Sequence, residues 1–356
     1  MDVKFRRAVV TGGAGFLGRR VCQRLLEQGT DVVCVDNALT ESQAILPGAR
    51  RPAVVGAGRL EYQSWDVTEP FDVAGDVDLV VHLAALTSPV DRVRHPVETL
   101  GCGGQGTRNA LEFAAHKDAR FVLASTSEVY GDPLISPQPE EYRGNVSPVG
   151  PRSAYDEAKR YAEALTAAYR REERADTAIA RIFNAYGSGM RADDGRMVPK
   201  FACQALRGEP LTVTGDGTQT RSLCHADDTV HGLLLLAASD LGGPVNIGNP
   251  EEATVGEIAA RIISLAGSSS SIRYVPRPDG DPRTRKPDIL FAQLALGFEP
   301  RISWREGLTE TISWFRRSMT ESAARAAEGS RSLLRPAGLP AVEGTAPFVA
   351  GDALAC

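Results

Sequence analysis

The sequence predicts an α/β fold, a doubly wound parallel sheet with a smaller C-terminal α/β lobe. Three observations carry this reading. Short apolar runs rich in valine and isoleucine alternate with longer segments of helical period. A glycine turn, Gly12-Gly-Ala-Gly15-Phe-Leu-Gly18, stands between the first apolar run and the first helix. Polar residues gather at the ends of later runs, where an open α/β sheet keeps its chemistry.

Ala8–Thr11 reads as a buried strand, Phe16 to about Gln28 as a helix, and Asp31–Val35 as the next strand. This is a mononucleotide-binding unit of Rossmann type. Gly12 makes the turn, Gly15 lets backbone approach a pyrophosphate, and Gly18 lets the helix pack close to the strand. The helix N-terminus faces the phosphates. Asp36 ends the second strand, where a carboxylate holds a ribose diol and repels a 2′-phosphate, so NAD is expected rather than NADP.

Thr40–Gly58 contains Pro47, Gly48, Pro52 and Gly56 and reads as a surface loop. Leu60–Trp65 is a strand ending at Asp66-Val67, placed to meet an adenine amine, and Asp78–Ala85 is another. His82 inside it is expected to be a core histidine rather than a ligand. Val97–Lys117 is helical, yet Gly101, Gly103, Gly104 and Gly106 are poor helix formers. They predict a kink, or a close approach of backbone to cofactor or sheet.

Ala119–Ser125 is a strand running into Thr126-Ser-Glu128. Thr126 is suited to holding a reacting hydroxyl and Glu128 to proton transfer. Ile135–Pro151 is a loop crossing the mouth of the site, and Ser153-Ala-Tyr-Asp-Glu-Ala-Lys159 opens a helix. Tyr155 and Lys159, four apart, share one helix face. A phenol titrates near ~10, and an ammonium beside it favours the phenolate. The pair is therefore suited to taking a proton from an alcohol while hydride leaves the same carbon.

Thr177–Ile182 closes the first unit. Met197–Leu206 is expected as helix, Leu211–Thr214 as strand, 226–238 as an apolar helix and Pro244–Ile247 as strand. An amphipathic helix spans Val255–Ile263, and the last helix runs from Ile302 to about Ala327. Pro276–Pro287 carries Arg283, Arg285 and Lys286, fixed cations that suit a diphosphate. Residues 1–185, with 226–248 returning, are expected to bind the dinucleotide. Residues 186–225 and 249–328 form the second lobe, and 329–356, low in pattern, a disordered tail.

Among 356 residues, 42% are apolar and 24% charged, and the net charge is −5. That leaves no basic field for nucleic acid or an anionic membrane. Six scattered cysteines show no metal-ligand spacing, so reduced thiols and no metal are expected. No run of ~18 apolar residues exists, and the seven residues before the first strand are short for a signal peptide, so a cytoplasmic protein is expected.

Several longer stretches carry a resemblance. These are Ser125-Thr-Ser-Glu-Val-Tyr-Gly-Asp-Pro133, Tyr155-Asp-Glu-x-Lys159, Arg181-Ile-Phe-Asn184, Asp194-Gly-Arg196, Thr214-Gly-Asp-Gly-x-Gln-Thr-Arg-Ser222 and Arg285-x-Pro-Asp288. Over about residues 5–320 the chain resembles the extended short-chain dehydrogenase/reductases, and within them the UDP-glucuronate decarboxylases (UDP-xylose synthases). Related 4,6-dehydratases carry an acidic residue where Ser127 stands here, the acid that expels water.

The resemblance implies NAD, UDP-glucuronate as substrate, UDP-xylose as product, and a homodimer. It implies NAD contacts from Gly12, Gly15, Phe16, Leu17, Gly18, Asp36, Asn37, Asp66, Val67, Leu83, Tyr155, Lys159 and Arg196. Nucleotide-sugar contacts would come from Asn184, Arg221 and Arg285, with Tyr169 a further candidate. Tyr155 would be the base and later the acid, with Lys159 tuning it and Thr126 orienting the hydroxyl. Glu128 and Arg285 would serve the carboxylate and proton steps. Gly103, Ser188-Gly189 and Thr214 depart from the family pattern. Two other readings stay open: a nucleotide-sugar 4-epimerase or 4,6-dehydratase, and an NAD-binding sensor or scaffold without catalysis.

Overall fold

The structure, a computed structural model, describes residues 5–40, 53–55, 57–277 and 281–333. In chain order the strands are β1 (Arg7–Thr11), β2 (Asp31–Val35), β3 (Ala53–Val55), β4 (Gly58–Gln63), β5 (Leu79–His82), β6 (Arg120–Thr126), β7 (Thr177–Ile182), β8 (Ala185–Tyr186), β9 (Leu211–Thr214), β10 (Thr220–Ser222), β11 (Cys224–His225), β12 (Val245–Ile247), β13 (Glu252–Thr254) and β14 (Ile272–Val275). The helices are α1 (Phe16–Glu27), α2 (Pro89–Arg94), α3 (Pro96–Gly101), α4 (Thr107–His116), α5 (Ser153–Arg171), α6 (Met197–Leu206), α7 (Ala226–Ala237), α8 (Val255–Ala266), α9 (Leu290–Leu296) and α10 (Trp304–Leu333).

Seven parallel strands form the central sheet in the order β12-β7-β6-β5-β1-β2-β4, and β3 adds an antiparallel edge. Both faces are covered, which is why its strands read as unbroken apolar runs rather than alternating ones. Val10, Val32, Cys34 and Val81 pack with Val21, Leu25 and Leu26 of α1 and with Leu233 and Leu236 of α7. Val9, Val33, Val80 and Phe121 lie on the other face with Leu111 and Phe113 of α4 and Ala162 of α5.

The strand order reverses between β1 and β5, where Thr11 pairs with His82. Ligands bind at such a switch point, outside the carboxyl ends of the strands. The glycine turn sits there. Gly12 has φ +68°, and a Cβ on it would lie 2.7 Å from the Ala84 amide nitrogen. A Cβ on Gly18 would collide with the Gly12 carbonyl oxygen, so α1 and the turn are in backbone contact.

The glycine-rich helix is irregular at its glycines, and Gly101 and Cys102 line the cavity at the carboxyl ends of the strands. The chain stays helical from Pro96 to His116, with one π turn at Cys102–Gly106. A Cβ on Gly103 would lie 2.6 Å from that of Ala158 in α5, and one on Gly106 would lie 2.9 Å from a Val67 methyl. The close approach is thus to α5 and to Val67, not to the sheet.

Beyond β7 the smaller elements pair among themselves: β9 with β14, β10 with β13 and β8 with β11. α6 packs on α8, whose start is fixed by a capping box of Thr254 and Glu257. α7 packs on β6 and β7, and β12 pairs with β7, so residues 226–247 return to the sheet.

Several short elements differ from the sequence reading, β3, β14 and α9 among them. β3 lies inside the expected 40–58 loop, of which 41–52 and 56 fall outside the described residues. β14 and α9 were not foreseen either. Runs of three to seven residues are too short for periodicity to register. The last helix continues to Leu333, so 329–333 is helical rather than tail, and 334–356 lies outside the described residues. Contacts divide the chain into a compact unit up to Arg316 and a second unit from Arg317. Among the described residues no helix is long and apolar enough to cross a membrane.

Candidate active site

A cavity of about 790 Å³ runs from the glycine turn to Arg285 along the carboxyl ends of the strands. At one end it is lined by Gly12, Gly15, Phe16, Leu17, Gly18, Asp36, Asn37, Asp66, Val67 and Leu83. Gly15 caps α1 with its N–H groups facing the cavity end, a place for anionic oxygens. The Asp36 carboxylate accepts from the Ala14 and Ala38 backbone N–H groups, at 3.0 and 2.8 Å. Burial raises its pKa, and those two N–H groups and Arg19 act against the rise. Asn37 donates to Asp66 at 3.0 Å. The Phe16 ring lies between Arg20 and Arg196, whose guanidinium carbons are 5.4 and 5.7 Å from its centroid. Arg196 is itself held by Asp194, with Nη2 to Oδ2 at 2.7 Å. His82 is buried between the hydroxyls of Thr11 and Thr107, a core histidine.

At the middle of the cavity β6 ends and α5 begins. Thr126 accepts the Glu128 amide at 3.2 Å, and it favours the ionised form of the Tyr155 phenol. Lys159, 4% exposed, donates to the Ala124 carbonyl at 2.8 Å. Burial lowers its pKa to about 8. The phenol is pushed up to about 12, first by burial and then by the Glu128 carboxylate, against Arg92, Thr126 and Arg196. This corrects the expected depression by Lys159. Burial and the Glu128 carboxylate dominate the phenol, while Lys159 is itself desolvated and bonded to backbone.

The Glu128 surroundings hold the most charge. Arg92 donates to Glu128 at 2.9 Å, Arg152 donates to the same oxygen, and Arg285 Nη1 stands 3.8 Å from the other oxygen. Burial pushes this carboxyl up, but the three guanidiniums together hold it well below the usual carboxylate range. Glu128 is therefore an ionised group, not a ready acid. Arg92 also stacks over the Tyr155 ring at 4.9 Å. Asp156 is 5% exposed, its buried Oδ1 finds no hydrogen-bond partner among the described residues, and burial followed by the Glu128 charge raises its carboxyl to about 7.

At the far end lie Asn184, Arg221 and Arg285. Asn184 donates to the Ser222 carbonyl at 3.1 Å and holds φ +34°, a strained conformation of the kind found at binding sites. Arg221 pairs with Asp281 at 3.1 Å. Burial, then Arg285, lowers its pKa to about 10. Arg285 is 9% exposed and its Nε finds no acceptor among the described residues.

Tyr169 does not join this group. It is 4% exposed on the α4/α5 face, with Arg174 over its ring at 4.3 Å, and it does not line the cavity. It stands fourteen residues beyond Tyr155 on α5, nearly four turns or about 21 Å further along the helix, which carries it away from the cavity. Sequence reasoning missed Arg92, Arg152 and Asp156. Arg152 and Asp156 flank Tyr155, a signal that was available. Arg92 lies in a charged stretch of α2 that resembles a solvated face, and only the tertiary fold sets it beside Glu128.

The chain is 44% identical over 320 residues to UDP-glucuronic acid decarboxylase 1 of Danio rerio, covering 89% of this chain and 74% of that protein. It is 47% identical over 303 residues to UDP-glucuronic acid decarboxylase 5 of Arabidopsis thaliana, covering 85% and 87%. Among solved structures it is similar to MoeE5 in complex with UDP-glucuronic acid and NAD, with a TM-score of 0.73, 31% identity, and 88% and 99% of the two chains covered. It is also similar to a UDP-glucose 4-epimerase of Thermotoga maritima, with a TM-score of 0.77, 27% identity, and 88% and 99% covered. The model of the NAD dependent epimerase/dehydratase family matches residues 8–248, over a sheet, glycine turn and Tyr-Lys pair of the kind just described, and the chain belongs to that family.

Proposed function

We propose that this chain is a UDP-glucuronate decarboxylase, converting UDP-glucuronate to UDP-xylose with NAD. The observation that carries the reading is Arg285. Its buried Nε–H has no acceptor among the described residues, and the side chain lines the same cavity as Tyr155, with Nη1 3.8 Å from Glu128. A buried unpaired donor is costly, and a carboxylate satisfies it. The decarboxylases among the relatives support the same substrate.

Residues 1–185, with 226–248, are assigned to the dinucleotide, and 186–225 with 249–328 to the nucleotide sugar. The turn at Gly12, Gly15 and Gly18 fits a pyrophosphate, because backbone there lies open to the cavity with no Cβ in the way. Asp36, Asn37, Asp66, Val67 and Leu83 would hold the adenosine half, and Phe16, Leu17, Lys159 and Arg196 the rest. NAD, when bound, takes hydride from C4 of the sugar and later returns it.

Tyr155 takes the C4 hydroxyl proton as that carbon becomes a ketone, and Thr126 orients the hydroxyl. A phenol at about 12, with Arg92 and Arg196 already acting on it, needs further positive charge nearby to act as a base, which the oxidised nicotinamide ring would bring. The ketone makes the C5 carboxylate a β-keto acid, so its electrons can flow into C4 as carbon dioxide leaves. Arg285 holds the carboxylate, and Asn184 and Arg221 the nucleotide sugar. Ser127 has no acidic proton with which to expel water, which argues against dehydration. C5 is then protonated, and Tyr155 returns its proton to the C4 oxygen.

A cytoplasmic homodimer is the assembly we assign. The deciding experiment is incubation of the pure protein with UDP-glucuronate and NAD, followed by mass spectrometry. The nucleotide sugar is expected to lose the mass of one carbon dioxide. An unchanged mass is the outcome of a 4-epimerase and would overturn the decarboxylase reading.

A further inference from the structure

Helix α2 presents its charges inward. Of its six residues, Asp91 and Arg92 are buried, each 9% exposed, while Val93 beside them is 73% exposed. Burial alone favours the opposite arrangement, so other contacts hold the charged pair inside. Ser88 accepts from the Val90 and Asp91 amides and donates to the Asp194 carbonyl at 2.7 Å. Asp91 pairs with Arg191 at 3.0 Å. These contacts pin the helix, and Arg92 lines the cavity with Tyr155 and Arg285.

The Arg92 guanidinium has N–H groups to spare. Nη1 donates to Glu128 Oε2 at 2.9 Å, and Nε and Nη2 donate to no group among the described residues. Its carbon lies 4.9 Å from the centroid of the Tyr155 ring. The charge around it is also in surplus. Arg92, Arg152 and Arg285 all meet the Glu128 carboxylate. Asp156 is the next carboxyl, and Asp281 beyond it is taken up by Arg221 and Arg277. Three guanidiniums against two carboxyls leave at least one positive charge over, and a buried charge without a counter-charge is costly.

A sugar whose C4 hydroxyl reaches the Tyr155 phenol puts its C5 substituent on the neighbouring carbon, beside a guanidinium that already lies over that ring. A carboxylate there matches the spare charge and the spare N–H groups, and a hydroxymethyl group brings no charge. We propose that Arg92 is a specificity residue, which with Arg285 grips the C5 carboxylate and selects a hexuronate over a neutral hexose. This deepens the decarboxylase reading above and rests on it. As carbon dioxide leaves, the C5–C6 electron pair moves into the C4 carbonyl, so the negative charge passes from the carboxylate to the oxygen at the phenol. A cation over the phenol ring keeps a counter-charge throughout.

The test reads binding without turnover. Tyr155→Phe keeps the ring beside Arg92 and removes the base, so UDP-glucuronate and UDP-glucose both stay intact on the NAD-loaded protein. In titration calorimetry this parent is expected to bind UDP-glucuronate about 10²-fold more tightly than UDP-glucose, the scale of charge-assisted hydrogen bonds. Adding Arg92→Met should cut that preference about tenfold or more, with the Kd values of UDP and UDP-glucose moving less than about threefold. Arg92→Lys should recover part of it. The drop should persist in a Glu128→Gln background, where residue 128 has no charge to repel the sugar's carboxylate. Equal affinities of the parent for the two sugars, an unchanged preference in Arg92→Met, an equal loss for both sugars, or a drop that vanishes with Glu128→Gln would each overturn the proposal. Should Arg92→Met not fold, as UDP binding reports, Arg92→Gln takes its place, keeping a donor for Glu128 without the charge. Carbon dioxide release by the wild type checks the decarboxylase reading separately, and none of these titrations depends on it.

Discussion

Tyr155 shows how far a residue's chemistry departs from its intrinsic value. Isolated, its phenol would titrate near ~10, but burial and Glu128 push it up to about 12. Its Oη is nonetheless the group assigned to move the C4 proton. Tyr155→Phe is expected to cut carbon dioxide release by at least ~10²-fold, while NAD still raises the thermal midpoint. Full activity in that variant would remove Tyr155 from the chemistry. Glu128→Gln is the second case. It leaves Arg92, Arg152 and Arg285 around a neutral amide, so the rate should fall ~10²-fold or more with only a small change in KM. Single-turnover release of carbon dioxide, compared with substrate binding, separates the two effects. The sequence made Tyr155, Lys159, Thr126 and Glu128 legible because they cluster within 34 residues. It gave no hint of the guanidinium from Arg92, which reaches Glu128 across 36 positions.

At the scale of elements, the junction of the α3–α4 helix with α5 positions the site. Gly103 lets the π turn approach Ala158, one residue before Lys159. A Cβ at 103 would meet both the Ala158 methyl and its carbonyl oxygen, at 2.6 and 2.9 Å. Gly103→Val is expected to destabilise the fold by about 1–3 kcal/mol and to move α5. Calorimetry should show a lower melting temperature, with carbon dioxide release reduced more than the unfolded fraction explains. An unchanged midpoint would mean that the two helices can separate freely. The long helices, and the strands buried on both faces, were readable because their patterns span enough residues. β3, β14 and α9 were not, since their existence depends on partners distant in sequence.

At the scale of the whole molecule, buried charge couples folding to pH. The folded chain keeps Asp156 neutral up to about 7, whereas unfolded it ionises near 3.8. Between those values the folded state binds more protons, so stability falls as pH rises, with a limiting slope of about 1.4 kcal/mol per pH unit for one proton. Glu128 works the other way and lower down. Its contribution is present above 4.5 and lost as pH falls below that value. Denaturant midpoints at several pH values should show a decline from about 4.5 to 7, and Asp156→Asn should flatten it. Lys159, at about 8 folded and 10.5 unfolded, adds a rise with pH between those two values.

The sequence by itself determined the layered α/β architecture, the glycine turn and the Tyr155–Lys159 pair, because each depends on residues close along the chain. Only the tertiary structure decided which charges meet. Arg92, Arg152, Asp156 and Arg285 come from separate segments or unmarked positions, and they converge on Glu128 only once the sheet is assembled. Burial then sets their protonation, and burial is a property of the packed molecule rather than of any local pattern.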